Sequence, residues 1–364
     1  MRGIATWGLL PDGGLGSAAP VALGESGPGA REERRARYTP EKGVLVQQYI
    51  LKRILFNIPV ILLVITVVFM FSHLRPDFAE QRAASGFSGG REYEEALAAI
   101  RSELGTDKPV LEQYGRYLWD TFRGDFGNSL ATQKPVVVEL KNRLGTSIEL
   151  GILQILVGLL ISIPIGVISA IRQDTWLDYV LRFVAILGLA VPSFYMATLM
   201  LLFAFNWRGW GPPTTTYTSF FENPSLNLQA MVLPALAGGF GMGAVIMRLL
   251  RSQLLEVLRQ DYVRTAWAKG LRERAVVARH AMKNAMIPVF TIVGLLIGTL
   301  FGGNVILESM FALPGVAAFI VISFKQNDLP MVQGIVLLVG IVLVMTNIVV
   351  DISYAWLDPR IRYR

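Results

Sequence analysis

The chain has 364 residues, 53% of them hydrophobic and only 17% charged, with a mean hydropathy of +0.48. A soluble protein of this length carries more charge, so the composition excludes a soluble enzyme and points to a polytopic membrane protein. The net charge of +7 fits basic loops and anionic lipid better than nucleic acid, and the absence of cysteine excludes disulfides, zinc–thiolate sites, iron–sulfur clusters and thiol catalysis.

Residues 1–48 are rich in Gly, Pro, Ala and charge, as in PDGGLGSAAP and GESGPGAREERRAR. They show no apolar periodicity, and disorder is expected. The apolar stretch from Trp7 to Leu10 is too short for a signal peptide. Residues 49–74 are predicted to be the first transmembrane helix, with Lys52 and Arg53 placing its start in the cytoplasm. Residues 75–146 read as an extracytoplasmic helical segment. Within it, EYEEALAAIRSEL carries the stripe Tyr93, Leu97, Ile100 and Leu104 and stops at Gly105, and QYGRYLWDTF gives a second short helix. Glu139, Arg143 and Glu149 are read as solvated helix faces and interfacial pairs rather than an acid/base site, because no His, Cys or metal-ligand pattern accompanies them.

Residues 147–357 hold five further spans, near 148–171, 179–205, 231–250, 288–307 and 332–352, and 358–364 form a basic cytoplasmic tail. Six spans in all put both termini in the cytoplasm. Pro164 and Pro192 mark kinks. A kink frees backbone carbonyls, which is tolerable only against protein or a water-filled path. The stretch VPSFYM therefore makes Pro192 and Ser193 candidates for lining a pathway, with a packing kink as the alternative. Small residues in GGFGMGA allow close helix packing in the fourth span.

Residues 261–288 are the most informative stretch. They read DYVRTAWAKGLRERAVVARHAMKNAMIP, a basic segment between two apolar runs. Asp261 is a good N-cap, Val263, Ala266 and Trp267 share one helical face, and Gly270 suits a left-handed C-cap. Leu271, Ala275, Ala278 and Met282 make a second stripe. A short amphipathic helix on a rigid platform suits docking into a groove of a soluble partner. The plainer reading is a loop that only sets topology by its charge.

This segment resembles the cytoplasmic EAA loop of binding-protein-dependent ABC importer permeases. Its DYVRTA, AKGL and RHA, then Asn284 and Ile287-Pro288, are similar to the version in the dipeptide/oligopeptide/nickel permease family. The likeness extends to LGTDKPVLEQYGRYLWDTFRGDFGNSL, to the elements around Glu308, Phe311, Pro314-Gly315 and Asp328-Leu329-Pro330, and to the closing DISYAWLDPRIR. It begins at Gln48-Tyr49, so the native start is expected downstream, near Val44 or Val46, with a functional basic tail as the alternative. Trp267 departs from the small or basic residue expected at that position.

The resemblance implies an all-α type I ABC importer permease-like fold with six transmembrane helices, in a prokaryotic inner membrane. It implies that Arg264, Thr265, Ala266, Trp267, Ala268, Lys269, Gly270 and Leu271 form the coupling element for an ATPase. It places Pro192, Ser193, Asn304 and Glu308 near the translocation pathway. The implied partners are a second homologous permease subunit, two ATP-binding subunits, an extracytoplasmic solute-binding protein, the lipid bilayer and a short peptide substrate, with nickel or another small solute as the alternative. ATP and Mg would be bound by the partner ATPases, with no cofactor or metal held by this chain. No G-x-x-x-x-G-K-[ST] P-loop occurs in the sequence, so ATP hydrolysis by that route is not expected here. A stand-alone secondary transporter is the rival class, disfavoured because ionisable groups are scarce at mid-span. An intramembrane enzyme would need a nucleophile–base pair or metal set that the sequence does not offer.

Overall fold

The computed structural model describes residues 42–74, 78–84, 90–104, 108–209, 211 and 217–357. The start before Lys42, the Arg75-Pro76-Asp77 turn, Gly105, the Pro212-Pro213 pair and the tail at 358–364 lie outside the described residues. Among the described residues all regular structure is helical, with one isolated antiparallel bridge between Asn128 and Pro135. The first half contains α1 (Lys42–Leu74), α2 (Phe78–Ala84), α3 (Arg91–Leu104), α4 (Val110–Phe122), α5 (Val136–Ile171), α6 (Trp176–Ala190) and α7 (Ser193–Arg208). The second half contains α8 (Pro224–Leu258), α9 (Asp261–Ala268), α10 (Glu273–Ala275), a π-helical turn (Val276–Ala281), α11 (Met282–Gly303), α12 (Val305–Met310), α13 (Val316–Lys325) and α14 (Leu329–Leu357).

Five described helices are long and apolar enough to cross a bilayer, and six if α6 and α7 count as one broken span. The third span expected over 179–205, with a kink marked at Pro192, is broken there into two helices. α6 and α7 meet at 107°. The cause is local: Pro192 has no N–H to continue the ladder, and it forces Val191 into an extended conformation at φ −88°, ψ 119°. The last bond of α6 runs from Val191 N to Leu187 O, and Ser193 opens a new helix behind Pro192. A second difference is length. α5 begins at Val136, so one continuous helix crosses the boundary expected at 146–147.

α5 and α8 form the most extensively packed pair, and small residues are the reason. A Cβ on Gly239 would lie 2.7 Å from Gln154 O, and one on Gly243 would lie 3.1 Å from Gly158 O. Backbone therefore meets backbone, the approach that small residues permit between membrane helices. Three clusters of buried side chains surround the pair. Leu150, Met231, Leu307 and Phe311 fill one region. Ile246, Leu250, Leu254, Ala281, Ala285 and Val289 fill another, toward the basic loop. Val136, Leu140, Phe319, Met331 and Ile335 fill the third. The outer faces of α1, α6 and α7 expose large apolar side chains such as Phe56, Leu63, Phe183, Leu202 and Phe203, as expected of surfaces that meet lipid or another membrane helix.

Several polar groups buried in this bundle are paired, although the Ser162 hydroxyl and Asn304 Nδ2 find no hydrogen-bond partner among the described residues. Asp328 accepts hydrogen bonds from the Ser129 hydroxyl and from Leu130 N at 3.1 Å, tying the turn before α5 to the start of α14. Glu139 is also buried, not solvated as expected. Its partner is Arg143 at 3.5 Å, whose guanidinium lies 3.6 Å from the Phe319 ring centroid. Glu149 accepts a hydrogen bond of 2.6 Å from the Tyr217 hydroxyl. Burial, with Glu149 adding to it, pushes that phenol up to about 12.

Candidate functional site

The basic loop folds into a compact platform at the end of α8. α9 turns its Val263 and Ala266 inward, where they pack with Val276 and with Val257 and Leu258 of α8. The remaining positions of the expected coupling element face outward: Arg264, Thr265, Trp267, Ala268, Lys269, Gly270 and Leu271 are exposed. Two expectations are corrected here. Ala266 faces this chain's own helices and not a partner's groove. Trp267 is not part of the buried face, being 52% exposed: it lies four positions from Val263 on the same side of the helix, but in the last turn of α9 and outside the cluster formed with Val276, Val257 and Leu258.

The ends of α9 follow from its sequence. Gln260 takes the N-cap position with an extended backbone, and Asp261 sits one place inside, in the first turn, where its charge favours the helix dipole. Gly270 has φ +79°. Around it Gly270 N donates to Trp267 O at 2.9 Å and Leu271 N donates to Ala266 O at 3.4 Å. These two bonds are those of a Schellman motif, with glycine at the left-handed position. Tyr262 then ties α9 to the following segment. Its hydroxyl donates to His280 O at 3.5 Å and accepts from Asn284 Nδ2 at 2.7 Å.

After Gly270 the expected stripe of Leu271, Ala275, Ala278 and Met282 is not the buried one. Leu271 and Ala278 are exposed, whereas Val276, Val277, Ala281 and Ala285 are buried. Leu271 lies in the connection before α10 and outside any helix, so a helical count begun there starts out of place, and a π-helical turn follows at Val276–Ala281. An i→i+5 turn adds a residue to the repeat and rotates everything after it, so a stripe counted at 3.6 residues per turn slips out of register.

A polar cluster that the sequence did not single out lies beside the platform. Asp178, fully buried in the first turn of α6, receives Arg251 Nε at 2.9 Å and Nη2 at 2.7 Å. It also accepts from the Ser169 hydroxyl and from Asp174 N at 3.0 Å, and Arg182 Nε lies 3.6 Å away. One carboxylate thus joins the end of α5, the turn before α6 and the end of α8. The signal was present, since a carboxylate beside a membrane span demands a cation.

The expected pathway residues separate into two places. Pro192 and Ser193 are exposed at the α6–α7 elbow. Asn304 and Glu308 are buried, on either side of Leu307, which shares a buried cluster with Ala197 of α7. Gln154 Nε2 donates to Asn304 Oδ1 at 3.0 Å, at the break between α11 and α12. Glu308 accepts from the Ser147 hydroxyl at 2.7 Å and from Ala318 N at 2.8 Å. Ser147 Oγ in turn accepts from Val316 N at 2.9 Å. α13 begins at Gly315, which has no capping side chain, so Glu308 and Ser147 from distant positions satisfy its first N–H groups. Gly315 leaves room for this, because a Cβ there would collide with the Glu308 carboxylate.

A multi-pass helical bundle with a basic, glycine-capped loop between its spans describes a membrane transport component, and comparison with known proteins agrees. The chain belongs to the family of binding-protein-dependent transport system inner membrane components, whose family model matches residues 162–363, with a companion model for the N-terminal part of such components matching 46–151. It is therefore a permease component of an ABC importer and not itself a catalyst. A Brucella abortus (strain 2308) chain named for a peptide transport system permease is 38% identical over 315 residues, covering 86% of this chain and 98% of that one. The dipeptide transport system permease protein DppB of Alkalihalophilus pseudofirmus is 34% identical over 334 residues, covering 86% and 99%. The glutathione transport system permease protein GsiC of Salmonella paratyphi A is 35% identical over 316 residues, covering 87% and 99%.

Proposed function

We propose that this permease forms the route for short peptides in an ATP-driven importer and that α9 is the element through which ATPases act on it. The observation that carries the reading is the construction of α9. Its inward face is seated on α8, its end is fixed by the Schellman motif, and its outward face presents Tyr262, Trp267 and Leu271, each between 42% and 52% exposed. A solvated topogenic loop needs charge but no such apolar face. The substrate reading is supported by relatives named for peptides, dipeptides and glutathione.

In this reading the complex contains a second, homologous permease, two ATP-binding subunits that hold ATP and Mg, and an extracytoplasmic solute-binding protein. Both termini and the basic loop face the cytoplasm, in keeping with Lys52, Arg53 and the six cations between Arg264 and Lys283. Pro192 and Ser193 border the pathway. Asn304 and Glu308 act at one remove from it, by holding the α11–α12 break and the start of α13.

Reconstitution of the whole complex in lipid vesicles tests the proposal. Labelled di- and tripeptides enter only with ATP and the binding protein, and a nickel chelate does not compete. Trp267→Ala weakens retention of the ATPase subunits by about tenfold, as loss of an aromatic anchor does. Uptake driven by a proton or sodium gradient without ATP overturns the importer reading. Wild-type ATPase retention and transport in a Trp267→Ala, Leu271→Ser double variant removes α9 as the coupling element.

A further inference from the structure

α4 has two apolar faces, and the chain uses only one of them. Tyr114 and Tyr117 pack on α1, with ring centroids 5.2 and 5.6 Å from that of Phe69, and the Tyr114 hydroxyl lies 2.7 Å from Thr66 Oγ1. Leu111, Trp119 and Phe122 point elsewhere and are 82%, 59% and 66% exposed. Positions 111, 115, 118, 119 and 122 fall along one side of a helix, and Gly115 and the partly buried Leu118 complete that stripe. The third side is charged. There Glu112 pairs with Lys108 at 3.0 Å and with Arg116 at 3.7 Å.

The contact with α1 fixes the depth of α4. The apolar stretch of α1 is Leu51–Phe71, 21 residues, or about 31 Å at 1.5 Å per residue, the thickness of a bilayer's hydrocarbon core. Thr66 and Phe69 precede the end of that stretch by five and two residues. They therefore lie about 8 and 3 Å inside the hydrocarbon boundary. A helix whose tyrosines reach those two side chains is held at the boundary between acyl chains and headgroups. At that level an exposed apolar stripe meets lipid, and α1 also exposes Val67, Met70 and Phe71 at this end. Trp119 suits the same level, since indoles concentrate there, and the Arg123 guanidinium lies 4.4 Å from its ring centroid.

We propose that α4 is an interfacial helix, with Leu111, Trp119 and Phe122 inserted at the acyl–headgroup boundary of the leaflet opposite the Lys52-Arg53 end of α1. α4 is then a membrane-surface element and not part of a solvated domain. This goes beyond the transport reading and depends only on α1 crossing the bilayer.

Spin labels on the cysteine-free full chain test it, in phosphatidylcholine–phosphatidylglycerol vesicles without binding protein. Nitroxides are placed singly at Leu111→Cys, Phe122→Cys and Arg116→Cys, all exposed positions whose replacement leaves the α1 contact intact. Collision with oxygen is compared with collision with a water-soluble nickel chelate. The Leu111 and Phe122 sites are expected to favour oxygen by about fivefold over the Arg116 site, as an apolar face lying in the interface does. Equal chelate access at all three sites overturns the proposal. So does chelate access at Leu111 and Phe122 that is lost only when purified binding protein is added, which would assign the stripe to a protein partner.

Discussion

Gly270 has φ +79° and open space around the position of a Cβ, so any penalty for a side chain there comes from the backbone alone. Gly270→Ala and Gly270→Val are expected to cost about 1–2 kcal/mol each in local stability. The effect should appear as faster proteolysis or hydrogen exchange in 261–288, with the spans unaffected; equal exchange in wild type and both variants would show that the left-handed turn is not needed. Asp178 poses the opposite case, a carboxylate with no exposure and several partners. Arg251→Met removes the bidentate cation and leaves a buried charge, a loss of about 3 kcal/mol or more. Asp178→Leu in the same chain should recover much of that loss, because two apolar groups have no charge to desolvate. Thermal unfolding of both variants measures the difference, and a double variant no more stable than Arg251→Met would deny the pairing. Gly270 could be read from sequence, since only its backbone freedom mattered. The Asp178–Arg251 pair could not, because its members are 73 positions apart and nothing local marks them as neighbours.

Among elements, α9 shows how far periodicity carries. Val263 and Ala266 were identifiable as one face, and that face is buried. What periodicity could not tell was which body buries it: α8 of this chain takes it, and Trp267 is left outside. The next stripe failed for different reasons: it was counted from Leu271, which lies outside any helix, and an i→i+5 turn has no clear residue signature and shifts every later position. The α6–α7 elbow was half legible. Pro192 marked a disturbance, but a proline can bend a membrane helix gently when neighbours satisfy the freed groups, so the size of the 107° turn could not be read from sequence. Ser193 is exposed at this elbow. Ser193→Trp is expected to reduce peptide uptake by about tenfold or more through obstruction of the route, with assembly of the complex unchanged. Normal uptake by an assembled Ser193→Trp complex would place the route elsewhere.

For the molecule as a whole, apolar run length made the spans readable, and positive charge gives their proposed orientation. Because the chain has no cysteine, single substitutions report sidedness cleanly. Ser102→Cys, exposed in α3, should react with an impermeant maleimide from outside the cell, and Ser252→Cys, exposed near the end of α8, only after permeabilisation; the reverse pattern would invert the topology. The contact of α5 with α8 was foreshadowed by glycines but not its closeness, which depends on Gly158 facing Gly239 and Gly243 across 80 positions and more. That contact has a mechanical consequence. The two helices have 36 and 35 residues, about 50 Å each, and at mid-length Gly158 meets Gly239 and Gly243 backbone to backbone, flanked by Gln154, Val157 and Met242. They behave as a single stiff beam. Under the coupling role proposed for α9, load would enter at one end, where Val257 and Leu258 seat α9, and leave at the other, where Ser147 donates to Glu308 and Asn227 donates to Thr218 O. On that proposal a small push on the loop would be delivered across the bundle as tilt. Whatever bends must bend at the joints, the elbow at Pro192 and the break at Asn304.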